Sequence, residues 1–353
     1  MKSTKIKVTT IGHYHRDKNM KITCDLLPKR FNSNRKYFDN PSLPIPQINL
    51  NINVPDSGAG ENRMESLLEY IRHKGWHNGQ KPDFVTNRQL LNCIVAEDYD
   101  AISVEVLRVD DVIFLLKKNE TYTYNLAAFG KVFEHFLTKE SEDEVIDKDG
   151  LVEKAVFVAE IPMEEGTVKV MYSGEINAID DNDQHYTLKV LNRGLNNYFW
   201  GYRSCACYWQ CILSNVPIMV IGSRTGELNR DPLTCAPTYL PANSLYKMEV
   251  LNVKEIPIKA KTAKISRPRD PRIQAIVENN PASWNIDCCE RRLQEFLSLV
   301  SNTQNHECYQ FSKAKGDLQW TIEKNRWGKS LFCQLVEATV CRASLLSVPA
   351  VVT

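Results

Sequence analysis

The sequence contains no apolar run approaching the ~18 residues of a membrane span. Its opening stretch, MKSTKIKVTTIGHYH, lacks the apolar core of a secretory signal. Net charge is almost absent: 44 Lys and Arg stand against 43 Asp and Glu, leaving +1 at pH 7. That balance excludes a broad basic surface gripping nucleic acid non-specifically, while leaving room for a narrow basic pocket. A disulfide framework is also missing. The 11 cysteines are odd in number and scattered; with no export signal they read as reduced thiols, so a cytoplasmic or nuclear location without membrane association is expected. Nor is there a paired knuckle for zinc. The nearest pattern, Cys205, Cys207 and Cys211 with distant Cys288 and Cys289, lies in the predicted helix WGYRSCACYWQCIL. Cys207 and Cys211 share a face of it and are expected to pack as small hydrophobes. His13 and His15 alternate as in a surface strand.

What is there is the balance of a soluble globular protein: 43% apolar and 25% charged residues in a chain of 353, enough to bury a substantial core. The first 60 or so residues read as strand-poor and loop-rich, with PSLPIPQINLNINVPDSGAG punctuated by Pro, Asn and Gly. ENRMESLLEYIRHKG predicts a helix, with Met64, Leu67, Leu68 and Ile71 on one face and Gly75 past its end. AISVEVLRVDDVIFLLKK predicts a hairpin, and NLAAFGKVFEHFLTKE a helix followed by an acidic, solvated loop. Three strands, AVFVAEI, TVKVMYSGEINAI and QHYTLKVL, precede the cysteine-bearing helix, and PIMVIGSR and YKMEVLNVKEI are strands after it. A helix over about 284–301, two short strands and an apolar tail close the chain. These elements predict an α+β fold, one domain with a central mixed, twisted β-sheet flanked by helices.

Chemistry concentrates in YSGEINAIDDNDQHYTLKV (172–190), read as two strands of one hairpin around a polar turn. Alternation puts Glu175 and Asn177 on one face of the first strand, and His185, Thr187 and Lys189 on one face of the second. Carboxylates beside a lysine form the pattern of a metal-dependent phosphodiesterase, because hard Mg²⁺ ions need several anionic oxygens. Glu134 on the preceding helix, Arg88 after an apolar strand and Gln210 on the following helix complete the constellation.

In that order these residues resemble the decapping and exoribonuclease (DXO) family, whose members remove incomplete or unusual 5′ caps from RNA and degrade the chain 5′ to 3′. The family's first motif, an arginine, is matched by Arg88. Its second, Gly-Φ-x-Φ-Glu, is matched by Gly130 and Glu134, with Lys131 at the first hydrophobic position. The third, Glu-Φ-Asp, is matched by Glu175 and Ile176 but ends in Asn177; the fourth, Glu-Φ-Lys, is matched by Leu188 and Lys189 but begins with Thr187. Gln210, in YWQCILSNVPIMVIG, matches a later glutamine. The resemblance covers residues 49–325, making 1–48 a loop-rich N-terminal segment and 326–353 a tail on a single domain, 1–353, with the family's nuclease fold.

The resemblance implies Mg²⁺ or Mn²⁺ as cofactor. Glu134 and Glu175 are then metal-site residues, with Asn177 and Thr187 at ligand positions and the Leu188 backbone carbonyl as a further ligand. It also implies Lys189 and Glu175 as catalytic groups, and Arg88, Lys189 and Gln210 as RNA or phosphate contacts. Only Glu134 and Glu175 remain of four acids, however, and neutral Asn and Thr oxygens do not offset dehydration of a divalent ion. Asp180 points away from Glu175 by strand parity and sits in a turn that favours Asp for its own reasons. The expectation is a nuclease frame with an eroded metal site. Three functions fit: a pseudoenzyme that binds RNA 5′ ends or nucleotides, a scaffold for a protein partner such as a separate 5′ exoribonuclease (which some family members bind), or a weak one-metal enzyme. KRFNSNRKYF (29–38) and SRPRDPR mix basic residues with aromatics or prolines, and are expected as a packed loop and a solvated linker rather than RNA contacts.

Overall fold

The computed structural model describes residues 4–51, 64–97, 101–118, 129–141, 146, 151–226, 242–263, 284–325 and 330–346. SRPRDPR and most of the acidic stretch after Lys139 lie outside them. In chain order the strands are β1 (Lys7–Arg16), β2 (Ile22–Cys24), β3 (Ile48–Asn49), β4 (Phe84–Asn87), β5 (Ala101–Val109), β6 (Val112–Lys117), β7 (Val152–Pro162), β8 (Thr167–Glu175), β9 (Ala178–Ile179), β10 (His185–Asn192), β11 (Ile218–Arg224), β12 (Ser244–Asn252), β13 (Cys308–Ala314) and β14 (Thr321–Lys324). The helices are α1 (Lys36–Asp39), α2 (Glu65–Lys74), α3 (Arg88–Ala96), α4 (Phe129–Thr138), α5 (Ser204–Ile212), α6 (Ile256–Thr262), α7 (Ile286–Ser301) and α8 (Leu331–Leu346).

Among the described residues the strands form two sheets. The larger is mixed and nine-stranded, ordered β14-β13-β5-β6-β4-β8-β7-β1-β2, with β4 parallel to both β6 and β8. The smaller is ordered β3-β12-β11-β10-β9, parallel only between β10 and β11. Successive side chains leave opposite faces of the large sheet, and helices cover both. Phe84, Val106 and Tyr172 meet Leu91, Trp209 and Phe296 from α3, α5 and α7. Their neighbours Val85, Leu107 and Met171 meet Leu67, Ile71 and Phe332 from α2 and α8. That double burial is why β6 reads VIFLLK, with no polar residue before its last lysine. Helix α4 lays Phe133 and Leu137 on Val220 and Met248 of the small sheet. Cys207 and Cys211 are buried in the first of these cores. No described helix is long and apolar enough to cross a membrane.

Two sequence expectations are corrected. Residues 1–60 are not strand-poor: β1 is a ten-residue strand paired along β7. KVTTIGHYHR carries Val8, Thr9, Thr10, Ile11 and Tyr14, all good strand formers, so a strand signal was present and its pairing along β7 realises it. The register shifts between Thr10 and Gly12, where the close Tyr70 hydroxyl leaves no room for a Cβ. The second correction concerns 167–191, which is not one hairpin. β8 pairs with β7 and β4 in the large sheet, whereas β10 pairs with β9 and β11 in the small one. Alternation gives the face a side chain takes, not the strand beside it, and the chain changes sheets at Ile176–Asn177.

The sheets are also joined by two histidines. His13 of β1 and His185 of β10 meet Nε2 to Nε2 at 2.9 Å, and His185 Nδ1 lies 3.3 Å from the Ser214 carbonyl. A carbonyl only accepts, so Nδ1 carries the hydrogen; neutral His185 then accepts at Nε2 from His13 Nε2–H. Burial, then the charge of His185, holds His13 down at about 4, and burial lowers His185 as well. Between pH 6.5 and about 4 the unfolded chain therefore binds more protons than the folded one. The pair's contribution is whole above that window and is lost as pH falls through it. Urea unfolding across the window should show wild-type stability declining, with a shallower slope in His13→Gln; equal slopes would refute the linkage.

Candidate active site

The junction between the sheets gathers the residues singled out from the sequence. β4 ends at Asn87, whose Oδ1 accepts from Leu90 N at 2.8 Å and caps α3, so Arg88 opens the helix at the strand's end. Its Nη1 donates to the Glu175 carbonyl at 2.7 Å and to Ser214 Oγ at 2.5 Å, and that hydroxyl donates to the Gln210 carbonyl at 2.6 Å. The guanidinium crosses β8 directly over Gly174, where a Cβ would lie 2.8 Å from Arg88 Cζ. Burial lowers the Arg88 pKa from its ordinary value, with Glu175 acting in the opposite sense. The Glu175 side chain itself is exposed.

Helix α5 continues a wide turn at Phe199–Arg203 and lies against β10. There Lys189 Nζ donates to Gln210 Oε1 at 2.6 Å. Thr187, two residues back on the same face, is buried and hydrogen-bonded to the Cys211 thiol, which burial pushes up to about 12. The Thr187 hydroxyl is thus already engaged.

Glu134 approaches from α4, and Asn177 Nδ2 donates to its Oε2 at 2.7 Å. Asn177 Oδ1 accepts from the Leu188 backbone N–H at 3.1 Å. The second bond fixes the amide's orientation, because a flipped amide would set two donors against each other. Burial raises the Glu134 carboxyl to about 8, against the lowering effect of the Asn177 bond; Glu153 and Glu175 add like charge. Asp180 is unavailable. Its Oδ1 accepts from Asn182 N and Gln184 N at 2.9 and 3.0 Å, and its Oδ2 from the Tyr186 hydroxyl. The 29–38 segment turns inward: Phe31 and Phe38 pack edge-on, Phe31 meets Tyr186, and Arg35 lies over all three rings.

Sequence reasoning missed four neighbours. Glu153, whose Oε2 accepts from Lys29 N at 2.8 Å, lies on a strand two away in the sheet order from β4. Ser214, Gly174 and His185 complete the surroundings, and only His185 carried a signal, its alternation with Thr187 and Lys189. These residues do not fit a pair of divalent ions. Asn177, at a family ligand position, offers Glu134 a neutral N–H donor rather than a further anionic ligand. Among the described residues, no three acidic, thiol or imidazole ligand atoms here lie within 4.8 Å of one another.

The sequence model of the RAI1 like PD-(D/E)XK nuclease family matches residues 7–233, more than half of the chain. The chain belongs to this family. Within it, the Caenorhabditis elegans decapping nuclease dom-3 is 23% identical over 236 residues, which span 57% of this chain and 60% of that protein. The fold is shared with Scheffersomyces stipitis Rai1 in complex with (3′-NADP)⁺ and calcium (TM-score 0.66, 16% identity, 95% of both chains covered). It is shared with Candida albicans Rai1 in complex with pU5-Mn²⁺ (TM-score 0.65, 16% identity, 96% of this chain and 97% of that one). K. lactis Dxo1 in complex with manganese aligns at TM-score 0.60 and 14% identity over 92% of each chain. The DXO resemblance read from ordered motifs and the RAI1-like match thus converge.

In this RAI1-like site the raised Glu134 has a thermodynamic signature. Its folded value of about 8 exceeds the ordinary 4.5, so its contribution is present below 4.5 and is lost as pH rises through 8. Glu134→Gln imitates the neutral acid and keeps an acceptor for Asn177. Melting in chelator should give variant and wild type similar Tm values at pH 5, with the variant ahead at pH 8.5. A variant that falls behind at the higher pH would contradict a neutral Glu134.

Proposed function

We propose that this chain is a pseudoenzyme of the family, which binds RNA 5′ ends at the sheet junction without hydrolysing them. The observation that carries the reading is the Asn177 amide, held by Leu188 N–H with its donor aimed at Glu134. Where the family pattern has an acid and a metal, this chain has a neutral amide that satisfies Glu134 directly. A carboxylate–amide bond needs no dehydrated ion, whereas a hard cation left with few anionic ligands keeps its water. Arg88, Lys189 and Gln210 remain at the junction, and losing two acids reduces the repulsion a phosphate meets there. The complex of Candida albicans Rai1 with pU5-Mn²⁺ supplies the ligand class: a short 5′-phosphorylated RNA.

Fluorescence anisotropy in chelator should detect a 5′-monophosphorylated oligoribonucleotide bound to the wild type. Arg88→Ala or Lys189→Ala should weaken binding roughly tenfold, ~1.4 kcal/mol, and the salt dependence should be shallow because few phosphates are neutralised. The same RNA incubated with Mn²⁺ should remain intact. Robust degradation abolished by Glu134→Gln would establish the weak-enzyme reading instead; absent binding, or binding indifferent to both substitutions, would favour a scaffold for a protein partner.

Asn177→Asp tests the amide itself. It turns the donor into a second acid facing Glu134, so Mn²⁺ affinity measured by calorimetry should rise roughly tenfold or more over wild type. Unchanged affinity would mean that the amide is not what disables the site.

A further inference from the structure

A second cluster of metal-binding side chains lies on the far side of the large sheet. Glu105 of β5 and Cys308 of β13 are diagonal neighbours on one face, since Cys308 stands opposite Leu107 in the register. Cys333 comes down on them from the first turn of α8. Cys308 Sγ lies 3.3 Å and Cys333 Sγ 3.9 Å from Glu105 Oε1, and the ligand atoms of all three lie within 4.8 Å of one another. All three residues are buried, Glu105 at 5% exposure. Their surroundings are apolar: Leu107, Phe114, Phe332 and Val336. Among the described residues the Glu105 side chain has only these two thiols as hydrogen-bonding partners. A carboxylate buried with nothing better than two weak S–H donors is poorly compensated.

We propose that Glu105, Cys308 and Cys333 bind a thiophilic divalent cation, zinc, which straps the C-terminal helix to the large sheet. Tetrahedral zinc, with bonds of ~2.3 Å to sulfur and ~2.1 Å to oxygen, spaces a sulfur and an oxygen ligand about 3.6 Å apart. The observed sulfur–oxygen separations fall on either side of that spacing. Two thiolates select zinc over the hard Mg²⁺ and Mn²⁺ ions that carboxylate sites hold. A water would take the fourth position, where Ser330 Oγ, 3.4 Å from Cys333 Sγ, offers it a hydrogen-bonding neighbour. The same hydroxyl accepts from Cys333 N and so caps α8, whose positive end offsets the anionic ligands. On binding, the two thiols and any proton on Glu105 release their protons to solvent, and no redox change is involved. The site is separate from the sheet junction and makes no use of the RNA-end reading.

The test is metal analysis of the full-length, reduced protein purified without chelator. The wild type should carry about one zinc per chain, as a structural site does. After chelation, Co²⁺ should restore a thiolate-to-cobalt charge-transfer band, which an ion on carboxylates alone cannot give. Cys308→Ser/Cys333→Ser should lose both zinc and band, whereas Cys205→Ser, altering the thiol 3.8 Å from Cys289, should keep them. A wild-type protein that is folded by circular dichroism yet binds neither zinc nor cobalt through thiolate overturns the proposal, whatever the variants do. So does a Cys308–Cys333 disulfide in protein purified under reducing conditions, or a cobalt band that survives the double substitution.

Discussion

Where the family pattern has an acid, one side chain can offer a metal an anionic oxygen or offer Glu134 a neutral N–H donor, but not both. Asn177 has made that choice, and its neighbours are arranged around it. The Leu188 N–H holds the oxygen end, Glu134 receives the donor end, and the two bonds tie α4 of the small-sheet layer to the crossover between the sheets. A neutral hydrogen bond contributes ~1 kcal/mol net, and one to a charged group ~1.5–3 kcal/mol. A divalent ion bound by too few anionic ligands must give up water for no equivalent return. The amide solution is the cheaper one for a cavity with this composition, and it leaves Glu134 with a proton-binding value of about 8.

The crossover matters because the sheets meet there. Chain passes from β8 to β9 through Ile176 and Asn177, Ile176 N donates to the Glu153 carbonyl, and Arg88 binds the carbonyl of Glu175. His13 and His185 add a bond from the other side. The polar groups at this seam are partly buried, and they find partners within the protein. Arg88, Ser214 and Gln210 form one chain of such partners, and Lys189 and Gln210 another. The groups that would recognise a phosphate therefore also hold the seam together.

Much of this was legible beforehand, for definite reasons. Runs rich in β-branched and aromatic residues announce strands, so β5, β6, β7, β8 and β11 could be read directly. Met64, Leu67, Leu68 and Ile71 bury one face of α2 as their spacing requires, and Gly75 follows at φ 68°. Strand parity does not relate Asp180 to Glu175, because the chain changes sheets between them; Asp180 is set apart instead by its turn hydrogen bonds. What parity could not supply was pairing: nothing in YSGEINAIDDNDQHYTLKV says that its two halves belong to different sheets. β1 was overlooked because the Pro, Asn and Gly that follow it set the reading of the whole N-terminal stretch, although Val8, Thr9, Thr10, Ile11 and Tyr14 favour a strand. Glu153 was hidden because a lone glutamate in a strand looks the same whether it faces water or another carboxylate. Glu105, Cys308 and Cys333 were invisible together, since more than two hundred residues separate the first from the others in sequence.

The engaged state of Arg88 and Lys189 sets the terms on which a phosphate would compete. In the free protein Lys189 meets a neutral amide oxygen, and Arg88 a carbonyl and a hydroxyl. A phosphate oxygen is charged, so it attracts a cation more strongly than a neutral amide, carbonyl or hydroxyl oxygen does. Exchange is therefore favourable at Lys189, which keeps two further donors, and needs no exchange at all at Arg88, whose fork has donors beyond Nη1. A carboxylate partner would have held both cations far more firmly. On the proposed reading, having fewer acids does two things: it leaves fewer anionic ligands for a metal and keeps the basic residues from being neutralised by ion pairs. A site poorer in metal ligands is, for that very reason, better able to accept an anion.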